Sequence, residues 1–182
     1  MKRMLPVVLN VLAISLSVSA QTPDDPIQKA LLAAPRQVKE GATVIKWKPD
    51  FTYETLKKGT NHLVCFDRSG QPGQRPFSVE CTSTANLDRV AQNLKFEALG
   101  DKKAVQTALD AAEKDGTRVK PEFGSVWIRL SGPDQAQAHM HTTIAVPGAT
   151  AQSIGMPDNP GLGGVWIMNA GTTTAHLMTP GS

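Results

Sequence analysis

Apolar residues recur along this chain at two spacings, and the change from one to the other divides it. Leu87, Val90, Ala91, Leu94 and Ala98 repeat every three to four residues, and Gly100 closes the run. That spacing predicts an amphipathic helix. Asp101 is placed to cap a second helix, with Val105, Ala108, Leu109 and Ala112 on one face and Gly116 at its end. Asp25-Pro26 reads as an N-cap with Pro at the first helical position, predicting a short helix over 27–34 that Pro35 stops. Elsewhere the pattern alternates or is briefly apolar. It predicts strands over 43–47, 62–66 and 77–81, and then over 126–130, 138–146, 165–168 and 175–178. Turn formers fill 68–76, and 155–164 is a Gly- and Pro-rich loop without the spacing or the trailing Lys of a phosphate cradle. Helices cluster in the middle and strands flank them. The expectation is an α+β fold: an antiparallel β-sheet with two or three helices packed on one face, in a single domain.

The N-terminus follows another logic. Lys2 and Arg3 precede a mostly apolar stretch over 5–18, and Val18-Ser19-Ala20 places short side chains ahead of a cut before Gln21. This is the three-part pattern of a secretory signal peptide over 1–20, leaving 21–182 as one secreted domain. An N-terminal membrane anchor is the rival, but the stretch is short and no stop-transfer charges follow it. The expected location is secreted or periplasmic, with no transmembrane segment after cleavage.

Cleavage changes the charge. The full chain of 182 residues carries a net charge of +3. Without Lys2 and Arg3 it has 17 basic and 16 acidic side chains, a net charge of +1. Clustered Lys and Arg are what a phosphate backbone needs, so a nucleic-acid partner is not expected. The charge is also uneven. Residues 124–182 hold three charged side chains, Arg129, Asp134 and Asp158, against thirty in 21–123. The charge-poor part therefore reads as a buried sheet, a binding face, or both. In an oxidising compartment Cys65 and Cys81 are expected to form a disulfide; a thiolate metal pair would want a CxxC spacing or a second pair.

Two segments carry a resemblance. Lys58-Gly59-Thr60-Asn61 running into Cys65, and the ending Gly171-Thr172-Thr173-Thr174-Ala175-His176-Leu177-Met178, resemble a group of uncharacterised secreted bacterial proteins. That group closes with Gly-Thr-Pro-x-Ala-His-Leu/Ile-Met, and here Thr173 stands at the Pro. The resemblance implies export and lends no catalytic residues. The chain also echoes itself. Val126-Trp127-Ile128 leads to Ala138-His139, and Val165-Trp166-Ile167 leads to Ala175-His176. Both copies read as a Trp-Ile strand turning into an Ala-His strand, which makes His139 and His176 equivalent.

The candidate chemistry lies on these strands. His139 and His141 are two apart and share a strand face, and His176 and Met178 repeat the relation. If the strands are neighbours, three imidazoles and a thioether converge, a set suited to copper, or to zinc through imidazoles alone. The same spacing also fits a solvated strand face, with Met178 as core filler. A Ser125 or Ser131 nucleophile with His139 or His141 as base and Asp134 as orienter can be drawn, as can a carboxylate pair from Asp50, Glu54, Glu80 and Glu122. There is no nucleophile elbow, His-Glu-x-x-His or dinucleotide fingerprint. The leading expectation is a non-enzymatic exported module that binds a transition metal or a small ligand. A secreted hydrolase and a cell-envelope interaction protein are the alternatives.

Overall fold

The chain is described by a computed structural model over residues 25–162 and 164–179. The expected signal peptide lies outside the described residues. Asp25 caps α1 (Pro26–Ala30) through its carboxylate on the Ile27 amide, and a 3-10 turn, Leu31–Ala33, continues it. Strands β1 (Thr43–Trp47), β2 (Tyr53–Lys57), β3 (Leu63–Asp67) and β4 (Phe77–Ser83) follow. Then come α2 (Leu87–Glu97) and α3 (Lys102–Lys114), the latter capped by the Asp101 carboxylate on the Ala104 amide. Strands β5 (Val126–Gly132) and β6 (His139–Ala145), the short α4 (Ala151–Ile154), and strands β7 (Trp166–Met168) and β8 (His176–Met178) complete the chain.

The eight strands form one sheet in the order β2-β1-β3-β4-β5-β6-β8-β7, antiparallel throughout except for β1 beside β3. The fold is α+β, as the segregation of helices and strands predicts. One refinement concerns the helices, which use both faces. Ala30, Leu31 and Ala33 pack with Val44, Cys65, Val79, Cys81 and Ile128 on one face. Val90 and Leu94 of α2 pack with Ile45, Trp47, Val64 and Phe66 on the other. Strands β3 and β4 are sandwiched, and all seven residues of β4 are buried. Burying a strand on both faces is what lets α1, only five residues long, hold its place.

Cys65 and Cys81 are register partners on β3 and β4 and are joined by a disulfide with its Cα atoms 4.1 Å apart. It closes a loop of sequence separation 16, worth about 3 kcal/mol in the chain-entropy account. The segment resembling the secreted group is structural here. A Cβ at Gly59 would lie 2.3 Å from the Gly41 carbonyl oxygen, so only glycine fits. Asn61 donates to the Val38 carbonyl and accepts from the Leu63 amide, which sets the entry to β3.

The internal echo is two hairpins, β5-β6 and β7-β8, with Trp127 and Trp166 on their first strands and His139 and His176 opening their second. In the sheet the two second strands lie side by side and antiparallel. Among the described residues, no helix is long and apolar enough to cross a membrane.

Candidate functional site

Register fixes which side chains share the α2 face of the sheet. Glu80 lies opposite Arg129 and Thr82 opposite Trp127; Arg129 lies opposite His141 and Trp127 opposite Thr143. Thr143 is opposite Met178 and Ala145 opposite His176. All these side chains stand on one face, because direct partners point the same way. Over β1, β3 and β4 that face is filled by α2. Over β5, β6 and β8 it is open, and a cavity of about 300 Å³ remains, rimmed by Arg89 and Asn93 of α2 and floored by Trp127, Arg129, His141 and His176.

Each wall has a defined support. Arg129 donates from Nε to Glu80 at 2.7 Å. Its terminal nitrogens carry no hydrogen bond among the described residues, and its side chain is 42% exposed. Trp127 donates from its indole N–H to the other oxygen of Glu80 at 3.3 Å. Glu80 is 1% exposed, and Arg68, 2% exposed, faces it at 3.7 Å and pairs also with Glu97. A single buried carboxylate thus fixes two cavity side chains and is itself held from behind. Arg89 is 4% exposed and donates to the Val119 carbonyl and to the hydroxyls of Thr173 and Thr174. Burial, with Arg118 alongside, pulls its guanidinium down to about 10 while Glu113 offsets part of this, so it keeps its charge at neutral pH.

His176 donates its Nδ1 proton to the Thr174 carbonyl at 2.7 Å, which leaves Nε2 as the open nitrogen. The ending that resembles the secreted group therefore has a structural meaning. Its threonines tie the loop before β8 to Arg89 of α2 and Glu113 of α3, and that loop orients His176.

The expected metal set is not assembled. Among the described residues, no group of three or more His, Cys, Asp or Glu side chains could hold a metal ion. Strand direction is the reason. His176 stands opposite Ala145, four residues from His141 and six from His139. At ~3.4 Å per residue those offsets are about 14 Å and about 20 Å along β6, whereas ligands sharing an ion sit within bonds of about 2 Å from it. The two second strands run antiparallel, so the equivalent histidines of the two hairpins are sent to opposite ends. Met178 lies opposite Thr143, between His141 and His176 in register. His141 and His176 do line the same cavity. His139 instead lines a second cavity of about 600 Å³ with Arg75 and Ser131, and His141 lines that one too.

Of the hydrolytic candidates, Ser131 lies opposite His139 on the neighbouring strand and lines the second cavity with it, while Ser125, Asp134, Asp50 and Glu122 are engaged elsewhere. Ser125 donates to the Glu122 carbonyl and accepts from Asn86. Asp134 accepts from the backbone and side chain of Gln137. Asp50 accepts from Thr52, and Glu122 from Ser83. Glu80 is buried and ion-paired with Arg68 and Arg129.

The cavity residues that sequence reasoning missed are Arg89, Asn93, Trp127 and Arg129. A signal for them existed. Asn86, Arg89 and Asn93 form a polar stripe at helical spacing, and Trp127, Arg129 and Ser131 form the polar face of β5. Both stripes turn inward, toward each other. Comparison with family models, with curated proteins and with solved structures returns no match.

Proposed function

We propose that this chain is a non-enzymatic, exported binding protein that holds a small anionic molecule in the cavity between α2 and strands β5, β6 and β8. The observation that carries this reading is the cavity lining: two guanidinium groups and two imidazoles, Arg89, Arg129, His141 and His176, and no carboxylate. A pocket of this size with a few convergent polar groups is the usual form of a ligand site. Arg129 presents the geometry for it. Its Nε is committed to Glu80, and its two terminal nitrogens form a fork open to a carboxylate or phosphate. Trp127 offers an apolar wall whose indole N–H is already satisfied by Glu80, so the ring contributes surface with no polar cost. The disulfide and the signal-like N-terminus support export.

The test is a titration of the mature protein with acetate, benzoate, galacturonate and inorganic phosphate, followed by backbone amide NMR. At least one is expected to give saturable shifts at Thr143, Ala145 and Ala175. Arg129→Ala is expected to weaken that binding about tenfold, the scale of a lost charge-assisted hydrogen bond. If none of the four perturbs those amides, the reading fails.

A further inference from the structure

The cavity does not end at His141. That side chain also lines the second, larger cavity, whose walls include Arg75, Ser131, Gln137 and His139. The two spaces therefore adjoin at one imidazole and follow β6 from its first residue to its last. Cationic or protonatable groups line this path at intervals: Arg75 and His139 at one end, Arg129 and His141 in the middle, Arg89 and His176 at the other. No Asp or Glu lines either cavity. Along β6, six residues separate His139 from Ala145, the partner of His176. The path is thus about 20 Å long at ~3.4 Å per residue. A single small anion would use one of these stations and leave the others without a ligand.

Resting on the reading of the inner cavity as an anion site, we propose that the ligand is extended: an acidic oligosaccharide laid along β6, with one acidic sugar in the inner cavity and others continuing past His141 to the Arg75–His139 end. The chemistry favours a sugar acid over a polyphosphate. Half of the six stations are imidazoles rather than fixed charges, which is a thin complement for a dense phosphate chain. Between them stand neutral hydrogen-bonding groups, Asn93, Thr143, Ser131 and Gln137, that suit hydroxyls, and Trp127 supplies a flat apolar wall for a ring. Arg75 and His139 are exposed, so they add to binding without carrying the fold.

Calorimetric titration of the mature protein with galacturonate, tetragalacturonate, neutral maltotetraose and tetraglutamate tests this. Tetragalacturonate is expected to bind about tenfold more tightly than galacturonate, the scale of one or two exposed charge contacts. Maltotetraose and tetraglutamate are expected to bind more weakly than tetragalacturonate. The double variant Arg75→Ala with His139→Ala is expected to bring tetragalacturonate down to the affinity of the monomer and to leave the monomer unchanged. Equal affinity of monomer and tetramer, equal loss for both ligands in the double variant, or preference for maltotetraose or tetraglutamate would each overturn the extended site. In any of these cases a small anion still seated against Arg129 leaves the inner-cavity reading intact; if no small anion binds there, that reading falls as well.

Discussion

The sheet has two halves built from the same alternation of apolar and polar residues, and they end in opposite states. In β4 every residue is buried; in β6 only Ala145 is. Helices make the difference. Strands β3 and β4 have the α1 turn on one face and α2 on the other, whereas beyond Trp127, which packs against the α2 cluster, the same face of β5 and β6 opens into the cavity that Arg89 and Asn93 rim. Charge runs against intuition. The crowded first half contains the buried ions Arg68 and Glu80, while the charge-poor second half is the open one. A shortage of charge in residues 124–182 therefore marks an open surface whose one Lys or Arg side chain, Arg129, is anchored by Glu80 of the first half. Low charge made that segment look like a core or a binding face; packing separates the two, with the core in the first half and the open face in the second.

The sharpest way to break this contrast is to remove the carboxylate on which both halves depend. Glu80→Ala leaves Arg68 buried with only Glu97 and Gln71, and frees Arg129 and Trp127. The expected loss in urea unfolding is about 3 kcal/mol, the scale of breaking a buried ion pair on one side. Any ligand of the inner cavity should weaken in parallel, because its floor is no longer fixed. Glu80→Gln, which keeps shape and one acceptor, should lose less. A loss under about 1 kcal/mol for Glu80→Ala would mean that the buried ions contribute little and that the two halves are independent.

Much of the first half could be read from sequence, and particular residues explain why. The caps at Asp25 and Asp101 act through local carboxylate-to-amide bonds, so their signal is local. Strand β4 was legible because Phe77, Val79 and Cys81 alternate. Strand β2 was not. It is an edge strand whose first three residues, Tyr53, Glu54 and Thr55, are exposed, so no burial pattern is written into it. Helix α4 is four residues held by the Thr150–Ser153 capping box, too short for any periodicity. At the site, the shared face of His139 and His141 was legible because it follows from spacing alone. Their distance from His176 depends on β6 and β8 pairing in antiparallel register, a long-range fact that no local pattern contains.

Acid offers a milder perturbation that touches each half separately. Burial pushes the Asp67 carboxyl up, but Lys29 of α1 and Ser69 outweigh it and hold it below its ordinary 3.8. Burial likewise pushes Glu113 up, but bonds from Thr173 and Thr174 and the nearby Arg89 charge hold it below its ordinary 4.5. Carboxyls depressed in the folded state stabilise it above their unfolded values, and that contribution is lost as pH falls through the folded ones. Stability should therefore be flat near neutrality and decline below about pH 4.5. Site-resolved hydrogen exchange divides the decline. Glu113→Gln should remove the acid sensitivity of the β8 amides and leave β3 unchanged, and Asp67→Asn should do the reverse. If either variant flattens both regions, the halves open as one unit.

The smallest expected effect carries the comparison to a single side chain. Met140 lies on the sheet face that α1 covers over β3 and β4, but on β6 it is 42% exposed. Alternation alone assigns it to the core with Ile144 and Val146. Only Val146 is buried there, at 5% exposure, within the small cluster of Ala149, Ile167 and Ala175 that α4 closes. A residue left in water has already forgone its transfer free energy, so Met140→Thr should change unfolding stability by less than about 0.5 kcal/mol. It also replaces a flexible side chain with a better strand former, which pushes slightly the other way. A loss of about 2 kcal/mol or more, the scale of a truncated core residue, would mean that this face is covered in solution and that the open half is packed like the closed one.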